Sequence, residues 1–417
     1  MKYWQKAIKF PLLSLIIGLI ISQILFVGNC HAQSFTFEGN RKKSVMDFDL
    51  VKNLIIIPIY INGKGPFNFI LDTGVGSLII TDPSLLDTLS LKNLRGTKIY
   101  GLGQGQEIEA FISNDVGVKI KEASIQHIPT TILKTDVFNL SSYMGKKIYG
   151  LIGYYFFNSF LVKVNYTTQR LAFFSPQAKT RKRGSKFPIE MQNKNPYITV
   201  EMQTPQKTNI KAKLIIDCGA SHALSMEALN GEAFPLPNPT IFANLGLGLS
   251  GLISGHVGRI PLLKLGKYSF KNVLSSFPAY ESVAAQIGYN TRNGNLGAEL
   301  LRRFDITFDY QNLAVYFKPN QSYQAPFDHD MSGMEVYADT ENSPRFFVGR
   351  IEPDSPAEKA GFLEQDELIG IDLKRIDFYS LEEITNLLKS ADGKTVVIEI
   401  IRKDKNIIKL LKLKKRI

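Results

Sequence analysis

The apolar positions of this chain follow three different rhythms. Phe10 to Val27 is a nearly unbroken apolar run behind Lys2, Lys6 and Lys9, with the small-residue exit Cys30, His31, Ala32 after it. That pattern predicts a secretory signal segment over residues 1–32, cut before Gln33. Left uncut, a run of this length would reach the size of a short membrane anchor, a reading that Pro11, Gly18, Ser22 and Gln23 weaken. From about Asn53 to Pro319 the apolar residues come in short β-branched and aromatic runs broken by Gly, Pro and Asn. Helical periodicity is scarce there, so this stretch predicts a mainly β structure.

Beyond Pro319 helices become readable. Ser355, Pro356 and Glu358 predict a capped start with proline in the first turn, and Ser380 with Glu383 predicts a second over SLEEITNLLKS. VVIEIIR and IIKLLKLK read as strands around a KDKN turn, which makes the C-terminal unit α+β.

The β stretch repeats itself. FILDTGVGSLII around Asp72 matches LIIDCGASHALS around Asp217 at an offset of 145, and GLGQGQ from Gly101 matches GLGLSG from Gly246 at the same offset. GLIG ends at Gly153 and GNLG at Gly297, an offset of 144 that then holds for Asn165-Tyr166 with Asp309-Tyr310. Two homologous lobes follow, residues 33–178 and 188–320, joined by a basic linker at 179–187.

With these motifs in place, the two halves resemble the lobes of a pepsin- or retropepsin-type aspartic protease. The implied fold is bilobal and mainly β, built of two acid-protease-like barrels. The resemblance assigns Asp72 and Asp217 as the catalytic pair, with Thr73, Gly74, Cys218 and Gly219 as their supports. The Gly-rich hairpins, with Tyr100, Gly101, Gly103, Gly246 and Gly248, would be flaps, and GLIG and GNLG would close a psi-shaped loop in each lobe. About 28 residues separate each Asp from its hairpin, nearer to a compact retropepsin lobe duplicated in one chain. The order of elements over residues 328–417 resembles a PDZ domain in its bacterial arrangement. By position its carboxylate-binding loop would lie at Met331 to Met334, with Gly333 and Met334 as peptide-binding candidates beside a strand Glu335 to Ala338.

The chemistry requires two carboxyl groups around one water, one ionised to take its proton and one protonated to donate to the scissile carbonyl oxygen. Close like charges resist double ionisation, so the pair holds one proton over its working range. In the family the residue after each Asp carries a hydroxyl that bonds across to the opposite lobe. Thr73 fits, whereas Cys218 offers a weak S–H donor and is expected to loosen half of that lock. Many acid-working relatives carry Ser or Thr three places after each Asp. Val75 and Ala220 stand there, which predicts a higher pH optimum, from mildly acidic to near neutral.

The expected function is therefore an exported aspartic endopeptidase, periplasmic or secreted and envelope-associated at most, whose PDZ unit recruits substrate tails or regulates the site. The competing reading is an inactive binding protein acting through its cleft and PDZ unit. Polypeptides are the expected partners, with protein C-termini through the PDZ unit; membrane contact is expected only if the N-terminal segment is uncut. No metal or cofactor is expected.

Composition narrows this further. The formal charge of +12 is spread along the chain except in KTRKRGSK and the tail from Lys409 to Arg416, so no nucleic-acid partner is expected. Of two cysteines, Cys30 would leave with the signal segment, and the lone Cys218 is then expected to be buried. GLGLSG satisfies a dinucleotide fingerprint but lacks the following helix. GASHA falls short of a nucleophile elbow at Ala223, and His222 has no counterpart in the first lobe, so serine and cysteine nucleophiles are disfavoured.

Overall fold

In the computed structural model the described residues are 33–99, 107–248, 251–279, 292–339 and 345–417. The expected signal segment and the first-lobe hairpin glycines lie outside them. Among the described residues no helix is long and apolar enough to cross a membrane.

The repeat seen in the letters is also a repeat of topology. In the first lobe the strand Lys64–Leu71 runs parallel to Gly150–Ile152, which is antiparallel to Leu78–Ile80. Leu78–Ile80 is in turn parallel to Thr130–Leu133. The second lobe repeats each relation: Asn209–Asp217 is parallel to Gly294–Gly297, which is antiparallel to Leu224–Met226, itself parallel to Tyr268–Pro278. In both, a late strand threads between two strands that are consecutive in the chain, which is the psi-shaped loop expected from GLIG and GNLG. Those threaded strands lead into the short helices Tyr154–Ser159 and Ala298–Leu301. Inward positions such as Phe69, Leu71, Leu214 and Ile216 are fully buried, so the alternation of each strand is used to fill its lobe.

A six-stranded sheet joins the lobes. Leu161–Asn165 from the first lobe pairs antiparallel with Phe304–Asp309 from the second, with Lys163 opposite Thr307. Those two residues are themselves related by the 144-residue offset, so the pseudo-two-fold axis passes through their pairing. Phe157 packs edge-on against Phe308 and stacks on Tyr310 across the junction. Aromatic burial of this kind is a large share of what holds two β lobes in a fixed relation.

The basic linker is less loose than its composition suggests. Its end forms the strand Ser185–Pro188, which pairs with Ala314–Pro319 at the edge of the joining sheet. The Lys163 ammonium bonds Thr180 Oγ1 at 2.7 Å and the Arg181 carbonyl at 2.8 Å.

The C-terminal domain has its own apolar core, including Val348, Phe362, Ile384 and Ile398. Its strands run in the order Met334–Asp339, Arg345–Ile351, Glu367–Ile371, Thr395–Arg402, Lys405–Lys412. The helix Leu381–Leu388 carries the complete capping box from Ser380 and Glu383. The first helix, Pro356–Lys359, is capped by Ser355, but the Glu358 carboxylate reaches the Asp354 N–H instead of closing a box. Arg303, 1% exposed, clamps the connecting segment through the Ala325 and Pro326 carbonyls and lies 3.8 Å over the Phe327 ring. The segment that leads into the domain is thus held against the second lobe by a buried cation.

Candidate active site

Each candidate carboxylate stands at the end of a buried strand. Lys64–Leu71 delivers Asp72, and Asn209–Asp217 ends on Asp217. The threaded strand of the same lobe fixes each backbone: the Asp72 N–H donates to the Ile152 carbonyl at 2.8 Å, and Gly297 lies in register with Asp217.

The turns are locked reciprocally across the lobes. The Thr73 hydroxyl donates to the Ile216 carbonyl at 2.6 Å and accepts the Cys218 N–H at 3.0 Å. The Cys218 thiol answers with the same pair of contacts, donating to the Leu71 carbonyl at 3.2 Å and accepting the Thr73 N–H at 3.3 Å. Leu71 and Ile216 are repeat equivalents, so sulfur reproduces each oxygen contact at a longer distance, as its radius requires. Both Cys218 hydrogen bonds are thus made, with sulfur as the weaker and more distant partner. Burial is the main cause that pushes the thiol up, so it stays protonated as a donor.

The glycines bring the carboxylates together. A Cβ on Gly219 would stand 2.1 Å from Asp72 Cγ, and one on Gly74 would stand 3.3 Å from Asp217 Cγ. Each turn therefore packs its glycine against the carboxylate of the other lobe, and at Gly219 no side chain fits. The Gly74 N–H donates to Asp72 Oδ1 at 2.6 Å and the Gly219 N–H to Asp217 Oδ1 at 3.0 Å. Burial first, and the neighbouring Asp217 charge second, push the Asp72 carboxyl well above the usual carboxylate range, against the Gly74 and Gly219 N–H donors. This is the electrostatic signature of a pair that shares one proton. Val75 and Ala220 add no hydroxyl to either carboxylate.

Both carboxylates open onto a cavity of about 830 Å³. The second-lobe hairpin, Ile241–Gly248 with Gly251–Leu265, lines it with Asn244 and Gly246. That antiparallel hairpin also disposes of the dinucleotide reading. Tyr100, Gly101 and Gly103 lie outside the described residues.

Three features escaped sequence reasoning. Asn295, on the threaded strand, donates from Nδ2 to Asp217 Oδ2 at 2.9 Å. The C-terminal domain completes the cavity wall with Met334, Glu335 and Tyr337, where Glu335 accepts from Asn244 at 3.3 Å and from Tyr337 at 2.9 Å. Lys52 reaches the same wall, 3.7 Å over the Tyr143 ring, and burial brings its ammonium down to about 8. Asn295 showed in the repeat only as a mismatch with Leu151, and the contacts of Asn244 with Glu335 and of Lys52 with Tyr143 join segments far apart in the chain.

The expected carboxylate-binding loop is placed as anticipated, just before the strand Met334–Asp339, but its donors are taken. The Asp330 carboxylate accepts the Ser332 N–H at 3.0 Å and the Gly333 N–H at 2.5 Å, and the Met334 N–H goes to the Ser332 hydroxyl at 3.0 Å. Gly333 and Met334 are therefore not open to an incoming carboxylate. Cys218 is bonded to Leu71 and Thr73, not to His222, whose Nε2 is buried without a partner. Among the described residues no cluster of His, Cys, Asp or Glu is arranged for a metal ion.

Residues 57–156 match the aspartyl protease family, and residues 347–402 match the PDZ domain family. A retropepsin-like aspartic protease from Rickettsia conorii is similar over 34% of this chain and 94% of its own, at 15% identity and a TM-score of 0.24. No curated protein matches the chain in sequence. An aspartyl protease domain and a PDZ domain are thus both present.

Thr73→Val keeps the shape at the lock but orphans a buried N–H and a buried carbonyl. It is expected to lower stability by about 3 kcal/mol, whereas Cys218→Thr changes it by less than about 1 kcal/mol. Urea midpoints of the two variants check this ranking.

Proposed function

We propose that this chain is an exported aspartic endopeptidase that hydrolyses peptide bonds with a water held between Asp72 and Asp217. The observation that carries this reading is the pair itself: two carboxylates from two lobes, packed against each other's glycines and held by a reciprocal buried lock. One carboxyl keeps its proton by burial and by its neighbour's charge, so the pair has both an acid and a base. The ionised member takes a proton from the water as it attacks the scissile carbonyl carbon, and the protonated member donates to the carbonyl oxygen. Collapse of the tetrahedral intermediate expels the amine, which leaves protonated. The second-lobe hairpin supplies the adjoining wall against which an extended peptide would lie.

The PDZ domain in this reading acts on the cleft as part of its wall, through Glu335 and Tyr337, and regulates or selects substrate there. Capture of free C-termini by its loop is not favoured, since the Asp330 carboxylate already accepts the Ser332 and Gly333 N–H groups. Export rests on the pattern of residues 1–32.

A peptide library is expected to be cleaved by the wild type in a manner sensitive to a statine-type inhibitor. Asp72→Asn and Asp217→Asn should each reduce kcat/KM by at least about a thousandfold while the fold persists, and undiminished cleavage in either would rule the mechanism out. The activity must fall as pH rises and the proton on Asp72 is lost. Because that carboxyl titrates well above its usual range, activity should extend to mildly acidic or near-neutral pH, and a profile confined below about pH 3 would contradict it. Peptides with free apolar C-termini should bind no more tightly than their C-terminal amides in anisotropy titrations; a tenfold preference for the acids would restore the capture role. N-terminal sequencing of the exported protein should begin at Gln33.

A further inference from the structure

The two carboxylates are supported unequally. On the threaded strand of the second lobe, Asn295 lies between Ile215 and Ser225 of the flanking strands, with 9% of its surface exposed. Its repeat equivalent in the first lobe is Leu151, which stands in register with Ile70 and has no donor to offer. Asp217 thus accepts the Gly219 N–H and Asn295 Nδ2, whereas the donors to Asp72 are the backbone N–H groups of Gly74 and Gly219. The side-chain donor has no equivalent at Asp72.

The amide orientation is itself constrained. Asn295 Oδ1 is buried without a partner. Rotating the amide would set that oxygen against the carboxylate and leave two N–H donors unpaired in place of one acceptor, so the donor orientation is favoured wherever Asp217 is ionised.

We propose that Asn295 is a positioning residue that breaks the symmetry of the dyad, seating the negative charge on Asp217 as the base and the shared proton on Asp72 as the acid. The groups facing the pair do not compete for this role. Cys218 is a buried, protonated thiol, burial holds His222 toward its neutral form, and Tyr310, which faces Asp72, is kept neutral by burial. Burial opposes charge on each of them, whereas a donor aimed at one oxygen favours one charge state of one residue.

The inference deepens the hydrolytic reading, and its first measurement needs no turnover. Carboxyl-carbon NMR titration of labelled aspartates in the wild type should show Asp217 ionising before Asp72; the reverse order would overturn the proposal. In Asn295→Leu the first ionisation should move up by about one pH unit, the size of one lost hydrogen bond to a charged group. The exchange variant Leu151→Asn with Asn295→Leu should transfer the first ionisation to Asp72, a result that a merely structural role for Asn295 would not give. An unmoved titration in folded Asn295→Leu would sink the idea, and should that variant not fold, the wild-type order decides alone. Where cleavage is measurable, the acid limb of kcat/KM should move by the same amount. Titrations that behave as expected in a protein without statine-sensitive cleavage would overturn hydrolysis and leave the seating of the charge standing.

Discussion

The exchange of hydrogen bonds between Thr73 and Cys218 is the contact on which everything else at the centre depends. Two adjacent carboxyl groups repel when both ionise, and burial raises the cost of charging either. Something stiffer than the carboxylates must hold the backbones that carry them. Here each turn inserts one side chain into the other lobe and bonds both a carbonyl and an N–H there, so sliding one lobe against the other would orphan buried groups on both sides. The penalty for unmade buried bonds exceeds the net gain from making them, which is why a four-membered lock fixes geometry more firmly than its modest stabilisation suggests. The six-stranded sheet and its aromatic junction then keep the lobes in the register that the lock requires.

Much of this was legible in the letters because duplication makes a sequence comment on itself. The 145- and 144-residue offsets anticipated two like lobes and their threaded strands, but not the helices that follow Gly153 and Gly297. Capping signals located the helices of the C-terminal domain to within a residue or two. What a repeat cannot show is where its copies differ for a purpose. Asn295 aligns with Leu151 and reads as a mismatch, although its amide meets Asp217. The meeting of Asn244 with Glu335 was invisible for another reason: it depends on how a third domain docks, and no local pattern encodes that.

Docking changes what the PDZ domain can do. Its edge strand and the end of its loop look into the cavity that holds the dyad, and Arg303 with Arg259 pins the connecting segment through the carbonyls of Pro326 and Phe327. A domain tethered by a slack linker would capture ligands at a distance and raise their local concentration. In the proposed reading a clamped domain would act by shape and charge at the cleft itself. Asn244 is the direct link, since it lies on the flap strand and donates to Glu335; motion of that hairpin must either carry the contact along or break it.

Duplication also removes a constraint. A site built from two identical chains must treat its two carboxylates alike until substrate arrives, whereas a single chain can assign the acid and the base in advance. The copies differ around the carboxylates at three paired positions: Thr73 with Cys218, Ser77 with His222, and Leu151 with Asn295. The thiol is tolerated because its surroundings keep it protonated, which preserves its direction as a donor to Leu71. The amide is useful because it is not repeated. Symmetry is thus kept in the backbone lock, where two equal halves give rigidity, and given up at the carboxylates, where the proposed acid and base would have different work to do.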